Sequence, residues 1–165
     1  SDSRRQRQMC IRDRCYPTID HRGPEFSELA LKCLSGIKTI FKTKNPVIIF
    51  PASGTGAWEA ALVNTLNDGD NVLMVETGHF ASLWNNMAQK LGLKVELLKT
   101  DWRQGLDPNE IEKRLRLDAD KKIKAVCIVH NETSTGCTSD VKAVREILDN
   151  LNHDALLMVL SLIHI

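Results

Sequence analysis

The chain has 165 residues, of which 42% are hydrophobic and 26% are charged, and its formal net charge is +1. This composition is typical of a soluble globular protein with one core of ordinary size. No uninterrupted apolar run approaches the roughly 18 residues that a membrane span needs, so the sequence predicts no transmembrane segment.

The two ends differ in composition from the rest, so we predict three segments. Residues 1–14 hold five arginines and almost nothing apolar, and residues 160–165 read "LSLIHI". Both ends resemble added sequence, which leaves residues 15–159 as the predicted domain. Removing the five Arg and two Asp of residues 1–14 leaves 17 basic and 19 acidic residues, a net charge of −2. Such a domain is not expected to bind nucleic acid, although a nucleic-acid or targeting arm is the alternative interpretation of residues 1–14.

The cysteines form no CxxC pair and are odd in number: Cys10, Cys15, Cys33, Cys127 and Cys137. They indicate reduced thiols of an intracellular protein, in the cytoplasm or in the peroxisome of a eukaryote. No His, Cys, Asp or Glu grouping has the spacing of metal ligands, so we expect no metal site.

Apolar runs of strand length alternate along the chain with stretches of helical period. The predicted helices cover residues 25–42, 57–66, 80–91, 108–117 and 140–151, and the predicted strands cover residues 47–50, 72–75, 94–98, 123–129 and 156–159. Asp107 before Pro108 is typical of a helix N-cap, and Gly69 of a turn. Trp58 and Trp84 are expected to pack helices on the sheet, and His153 is expected to be solvated.

Five strands separated by four helices predict an α/β fold with a mostly parallel sheet. Ligands of such sheets bind in the loops beyond the carboxyl ends of the strands. This rule singles out three loops, with the sequences "PASGTGA", "ETGHF" and "HNETSTG".

The first loop joins a predicted strand to a predicted helix through two glycines. Its backbone N–H groups and the hydroxyls of Ser53 and Thr55 suit a phosphate. The loop is neither a Walker A motif, which requires a lysine, nor a dinucleotide fingerprint, since Glu59 stands where a third glycine is needed. A plain tight turn is the alternative interpretation.

The other two loops carry rings and hydrogen-bonding groups. In the second, Gly78 permits close approach, and the ring of His79 or Phe80 suits stacking on a planar ligand. In the third, polar residues from Asn131 to Thr135 suit binding of a small polar ligand. A core phenylalanine and an ordinary helix N-cap are the alternatives.

Six blocks of sequence together resemble the class V pyridoxal-phosphate aminotransferases: "DHRGPEF", "FPASGTGAWEAALVNTLNDGD", "ETGHFASLW", "DWRQGLDP", "IKAVCIVHNETSTG" and "ALLMV". Within that family the blocks are most similar to the serine–glyoxylate members and less so to the alanine–glyoxylate members. The resemblance implies that the chain is part of the large domain of a fold-type I transferase that binds pyridoxal 5'-phosphate and forms a homodimer.

The resemblance also implies which residues hold the cofactor. The turn formed by Ser53, Gly54, Thr55 and Gly56 would bind its phosphate. Phe80 would stack on its pyridine ring, and Thr133 would form a hydrogen bond near its phenolic oxygen.

The chain departs from the family pattern after "ALLMV". The family places an aspartate there that protonates the pyridine nitrogen, whereas this chain has Leu160. The Schiff-base lysine and the substrate-binding arginine of the family lie further on and have no counterpart here. We therefore expect the 165 residues alone to be inactive, and a full-length parent to transfer an amino group from serine or alanine to glyoxylate.

Three other interpretations remain open. The chain could be a non-catalytic module that binds a phosphate ligand through the glycine turn, or a remnant that mediates dimerisation. It could also come from another class V enzyme, such as a cysteine desulfurase.

Overall fold

A computed structural model of the chain describes residues 19–161. The described part of the chain divides into two compact units, with the boundary between Pro51 and Ala52. The predicted segment 1–14 lies outside the described residues. Of the predicted segment 160–165, Leu160 is the last residue of the final strand, and residues 162–165 lie outside the described residues.

The first unit contains helix α1, Pro24–Ile40. Gly23 is its N-cap, and Pro24 occupies the first turn, where its fixed φ and its missing N–H are tolerated. The predicted helix at residues 25–42 is thus confirmed, with its end two residues earlier. None of its residues is buried, and the apolar side chains Phe26, Leu29 and Leu34 remain more than a third exposed.

The predicted buried strand at residues 47–50 is wrong. These residues form no strand, and Ile48, Ile49 and Phe50 are exposed. Their β-branched and aromatic side chains favour extended backbone, but a strand forms only where a neighbour accepts and donates its ladder hydrogen bonds. Residues 47–50 pair with none of the described strands.

The second unit is a parallel sheet with helices on both faces, so the predicted α/β fold is confirmed with four strands instead of five. Its elements in chain order are α2 (Gly54–Thr65), β1 (Asn71–Glu76), α3 (His79–Lys90), β2 (Lys94–Lys99), α4 (Pro108–Leu117), β3 (Ile123–Val129), α5 (Val141–Asn150) and β4 (Leu156–Leu160). The strand order is β2-β1-β3-β4, and all pairs are parallel. Within residues 19–161, no helix combines the length and the apolar character that crossing a bilayer requires.

The core lies on both faces of the sheet because alternate side chains of each strand point to opposite faces. On one face, Val72 and Met74 of β1 pack with Trp58 of α2 and Trp84 of α3, as predicted for the two tryptophans. On the other face, Leu73 and Val75 pack with residues of α4 and α5 such as Ile111 and Val144. A register shift between β1 and β3 at Asn71/Val72 places Ile123 on this second face.

This arrangement creates a crevice between β1 and β3. The chain leaves β1 into α3 on one face of the sheet, and leaves the neighbouring β3 into α5 on the other face. The loops after these two strands therefore diverge, and in open α/β sheets the crevice at such a switch point is where ligands bind.

Asp side chains cap two helices at their N-termini. The Asp107 carboxylate accepts a hydrogen bond from the backbone N–H of Asn109 at 2.9 Å, which confirms the predicted cap of α4. Asp140 accepts from the N–H of Ala143 at 2.9 Å at the start of α5.

At the amino end of the sheet, the buried carboxylate of Asp118 joins α4 to β3 and β4. It accepts hydrogen bonds from the N–H groups of Lys122 at 3.0 Å and Ile123 at 2.7 Å. His153 Nε2 lies 3.4 Å from Asp118 Oδ2, and His153 Nδ1 accepts from the N–H of Ala155 at 3.2 Å. The prediction that His153 is solvated is therefore wrong, since the turn before β4 folds this ring against Asp118, where it is buried.

Burial raises the pKa of the Asp118 carboxyl, but hydrogen bonds from the N–H groups of Ile123 and Lys122, together with the adjacent His153 ring, outweigh burial, and the net pKa lies below its ordinary value. Because the folded state holds the proton less tightly than the unfolded state, ionised Asp118 stabilises the fold. This contribution is complete above the ordinary Asp pKa of about 4 and is lost as the pH falls through the lower folded-state pKa.

We expect Asp118→Asn to lower the free energy of unfolding by about 1–3 kcal/mol at pH 7, because an amide cannot satisfy both buried N–H groups. Urea denaturation measures the difference, which should shrink as the pH falls below about 4. The control is Asp120→Asn, which removes an exposed partner of Lys122 and should cost less than about 0.5 kcal/mol. Equal losses in the two variants, or a loss at Asp118 independent of pH, would contradict this assignment.

Candidate binding site at the carboxyl ends of the strands

The N-terminus of α2 has no side-chain cap among the described residues. Ser53 is the N-cap, yet its side chain makes no capping hydrogen bond, and the first turn contains no acidic residue. The Ser53 carbonyl accepts from the N–H groups of Gly56 and Ala57. The N–H groups of Gly54 and Thr55 have no acceptor among the described residues, so they and the helix dipole are available to an anion.

The loop after β3 folds into a tight hairpin. Its two sides are joined by hydrogen bonds from Glu132 N–H to the Cys137 carbonyl at 2.9 Å and from Ser139 N–H to the His130 carbonyl at 2.8 Å. Gly136 closes the turn with φ +77°, a conformation that glycine adopts without steric cost. Thr133 lies in this turn with its side chain exposed, and its hydroxyl makes no hydrogen bond to any described residue.

The buried carboxylate of Glu132 caps α3 from across the crevice. It accepts hydrogen bonds from the N–H groups of Phe80 at 3.3 Å and Ala81 at 3.1 Å. The hydroxyl of Ser134 donates to the same carboxylate at 2.8 Å and accepts from the N–H of His79 at 2.9 Å. Because Glu132 supplies a negative charge at this helix end, the N-terminus of α3 is already satisfied.

Gly78 allows the two loops to approach this closely. A Cβ at this position would lie 2.4 Å from Glu132 Cγ and 2.6 Å from Ser134 Oγ. The predicted close approach at Gly78 is confirmed, and the group that approaches is the hairpin after β3.

Phe80 connects the start of α3 to the start of α2. Its half-buried ring lies 6.3 Å from that of Trp58 at an interplanar angle of 78°, and 5.8 Å from that of His79 at 67°. Trp58 lies one turn into α2, so the N-terminal ends of the two helices are neighbours. Neither aromatic neighbour lies parallel to the Phe80 ring.

The structure thus distributes the six predicted cofactor residues over three adjoining segments: Ser53, Gly54, Thr55 and Gly56 at the start of α2, Phe80 at the start of α3, and Thr133 in the hairpin after β3. Phe80 is brought to the α2 terminus through Trp58 and to the hairpin through Glu132. Thr133 and the glycine turn do not contact each other directly through a hydrogen bond.

Sequence analysis did not identify the role of Glu132. The sequence placed it in a polar loop, but its partners lie 51 and 52 residues away. No local pattern distinguishes a carboxylate that caps a distant helix from one that faces solvent.

We expect Glu132→Gln to lower the free energy of unfolding by about 1.5–3 kcal/mol, because it removes a buried charge that accepts several hydrogen bonds. Urea denaturation is the measurement. Glu110→Gln, which changes an exposed acidic residue in the first turn of α4, is the matched control and should cost less than about 1 kcal/mol. If the two variants lose the same stability, Glu132 is not the cap that joins the loops.

Comparison with known proteins identifies relatives over most of the chain. Residues 14–160 match the family model described as aminotransferase class-V. The chain is 48% identical over 141 residues to the serine–glyoxylate aminotransferase of Methylorubrum extorquens, an alignment that covers 85% of this chain and 35% of that protein. It is 44% identical over 144 residues to the L-aspartate–glyoxylate aminotransferase of Paracoccus denitrificans, which covers 87% of this chain and 36% of that protein.

A solved structure shows the same fold. The ureidoglycine–glyoxylate aminotransferase of Bacillus subtilis is similar with a TM-score of 0.68 at 28% identity, over 90% of this chain and 38% of that one. The chain therefore spans about a third of the length of the curated relatives that it matches. Because the family model covers nearly all of it, this chain belongs to the class V aminotransferases.

Proposed function

We propose that the chain forms the phosphate-binding and ring-binding part of a pyridoxal 5'-phosphate site in a glyoxylate aminotransferase. Class V aminotransferases use this cofactor. The observation that carries the proposal is the contrast between two neighbouring helix ends. The start of α3 is capped by Glu132, whereas the first N–H groups of α2 have no acceptor among the described residues and lie one turn before Trp58, whose ring neighbours that of Phe80.

The start of α2 suits a phosphate ester in charge and in hydrogen-bond donors. The N–H groups of Gly54 and Thr55 lack acceptors among the described residues, and the hydroxyls of Ser53 and Thr55 are exposed. A Cβ at Gly56 would lie 2.7 Å from the Cβ of Ala52, so the backbone is closely packed at this turn. In this site the N–H groups and hydroxyls would bind the phosphate oxygens.

Phe80 and Thr133 fit the ring of the same cofactor. Phe80 would orient the pyridine ring by stacking, since its aromatic neighbours pack at steep angles. The free hydroxyl of Thr133 would donate a hydrogen bond near the phenolic oxygen. The hairpin that carries Thr133 is held to the start of α3 by Glu132 and Ser134, which fixes Thr133 relative to Phe80.

The reaction we propose moves an amino group from serine to glyoxylate, which yields hydroxypyruvate and glycine. When bound, the cofactor supplies the electron sink for this chemistry. The relatives that use serine and aspartate are similarly close, so alanine and aspartate are the alternative donors to test. We propose that a longer homodimeric protein supplies the Schiff-base lysine and the pyridine-nitrogen aspartate, and that these 165 residues alone do not transaminate.

We expect Thr55→Val to raise the dissociation constant for pyridoxal phosphate about tenfold, because it removes one hydrogen bond to a charged phosphate. Fluorescence titration measures this constant, and pyridoxal, which lacks the phosphate, is the reference ligand. The control Thr65→Val changes a threonine at the other end of α2 whose hydroxyl bonds the Ala61 carbonyl. Equal affinity for pyridoxal and pyridoxal phosphate would refute the phosphate site.

A second test is activity. The full coding sequence that carries this chain, expressed with pyridoxal phosphate, should convert glyoxylate to glycine with serine as the preferred donor over alanine and aspartate. Chromatography of glycine and of the keto-acid product measures each donor. Cofactor binding without transfer from any of the three donors would favour a non-catalytic phosphate-binding module or another class V enzyme.

A further inference from the structure

The loop between β2 and α4 contains a tryptophan in an unusual backbone conformation. Trp102 has φ +65°, which places a bulky residue in the left-handed region. The other non-glycine residues with positive φ in residues 19–161 are Lys42, Lys121 and Asn152. A bulky side chain in this region is a conformational outlier that persists only where surrounding contacts impose it.

The first of these contacts join the loop to the end of β1. The indole Nε1–H of Trp102 donates to Glu76 Oε1 at 3.2 Å. The hydroxyl of Thr100 donates to the Glu76 carbonyl at 2.8 Å and accepts from the N–H of Trp102 at 3.2 Å. Glu76 is the last residue of β1, four residues before Phe80.

The second set of contacts joins the loop to the hairpin after β3. The Trp102 carbonyl accepts from Cys137 Sγ at 3.4 Å. The N–H of Leu106 donates to Ser139 Oγ at 3.3 Å. A Cβ at Gly105 would lie 2.2 Å from the Thr138 carbonyl oxygen, so only glycine permits this approach. Residues 100–106 therefore contact the end of β1, four residues before Phe80, and the hairpin that carries Thr133.

Trp102 is more exposed than the two tryptophans of the core. Its side chain is 38% exposed, whereas Trp58 and Trp84 of the core are 5% and 2% exposed. Trp102 is therefore partly buried, unlike the two core tryptophans. The indole of Trp102 provides the donor to Glu76, and the backbone carbonyl of the same residue accepts from Cys137.

We propose that Trp102 is a positioning residue that sets the spacing between Phe80 and Thr133 by holding the end of β1 and the hairpin after β3 together. The inference rests on the proposed function, in which these two residues bind the pyridine ring. It assigns no contact between Trp102 and the cofactor. Loss of the Trp102–Glu76 hydrogen bond should therefore weaken cofactor binding indirectly, by loosening the hairpin.

The test uses Trp102→Phe in the full-length protein that carries this sequence, because phenylalanine keeps the ring and removes the donor. We expect the dissociation constant for pyridoxal phosphate to rise about fivefold to tenfold. The visible circular dichroism of the bound cofactor, which reports ring orientation, should weaken. The rate of Cys137 alkylation, measured in the absence of cofactor by peptide mass spectrometry, should rise about tenfold because the contact of Cys137 to Trp102 loosens.

Three further variants separate positioning from stability. Glu76→Ala should match Trp102→Phe, and the double variant should add nothing further, since one bond is lost in each case. Glu76→Gln keeps an oxygen acceptor and should behave as wild type. Ile147→Val, which thins the core on the other face of the sheet, should lower stability with no change in cofactor affinity or Cys137 alkylation.

Cys127 provides an internal reference for the alkylation. Burial raises the pKa of its thiol to about 12, so it should stay unreactive in every folded variant. Alkylation of Cys127 at the rate of Cys137 would mean global unfolding and would overturn the positioning role.

The outcomes distinguish this inference from the proposed function. If the wild-type protein binds no pyridoxal phosphate, the proposed function fails and the inference fails with it. If the wild-type protein binds the cofactor and Trp102→Phe binds it within about twofold with the same circular dichroism, only the inference is overturned.

Discussion

The carboxylate of Glu132 determines the arrangement of the candidate site. Removing this buried charge from water is unfavourable unless strong hydrogen bonds replace the water, and the start of α3 supplies them. In return, the charge satisfies N–H groups that would otherwise lack partners at a helix end. These hydrogen bonds hold the hairpin after β3 against the turn after β1, at the switch point of the sheet.

A consequence of this cap is that two adjacent helix ends differ in their capacity to bind anions. Both α2 and α3 direct the positive ends of their dipoles toward the same region, and Trp58 and Phe80 keep these ends close. The start of α3 has an internal carboxylate, whereas the N–H groups of Gly54 and Thr55 at the start of α2 have no acceptor among the described residues. The exposed, glycine-rich start of α2 therefore matters for electrostatics as well as for backbone conformation.

Packing on both faces of the sheet supports this arrangement. The helices α2 and α3 cover one face of the sheet, and α4 and α5 cover the other. The loops after β1 and β3 therefore lead to opposite faces. The Asp118–His153 pair fixes the amino end of the same strands, on the side away from the candidate site. The loop that contains Trp102 contacts the end of β1 and the hairpin after β3.

The sequence by itself determined the α/β class, most helix and strand positions, and the loops that adjoin the crevice. These features depend on short-range patterns: apolar period, the Asp107–Pro108 cap and glycines at turns. Phe80 and Thr133 lie beyond the carboxyl ends of β1 and β3, as the loop rule predicted, whereas the turn from Ser53 to Gly56 starts α2 without a preceding strand among the described residues.

Only the tertiary structure decided which of these residues meet. Residues 47–50 have the composition of a strand, yet they lack a strand partner among the described residues. His153 lies in a polar stretch and is nevertheless buried, because Asp118 is 35 residues away in sequence and adjacent in space. Glu132 and Trp102 likewise act on partners across the sheet. Local propensity acts over a few residues, whereas charge burial and hydrogen bonding between distant segments exist only after the chain has folded.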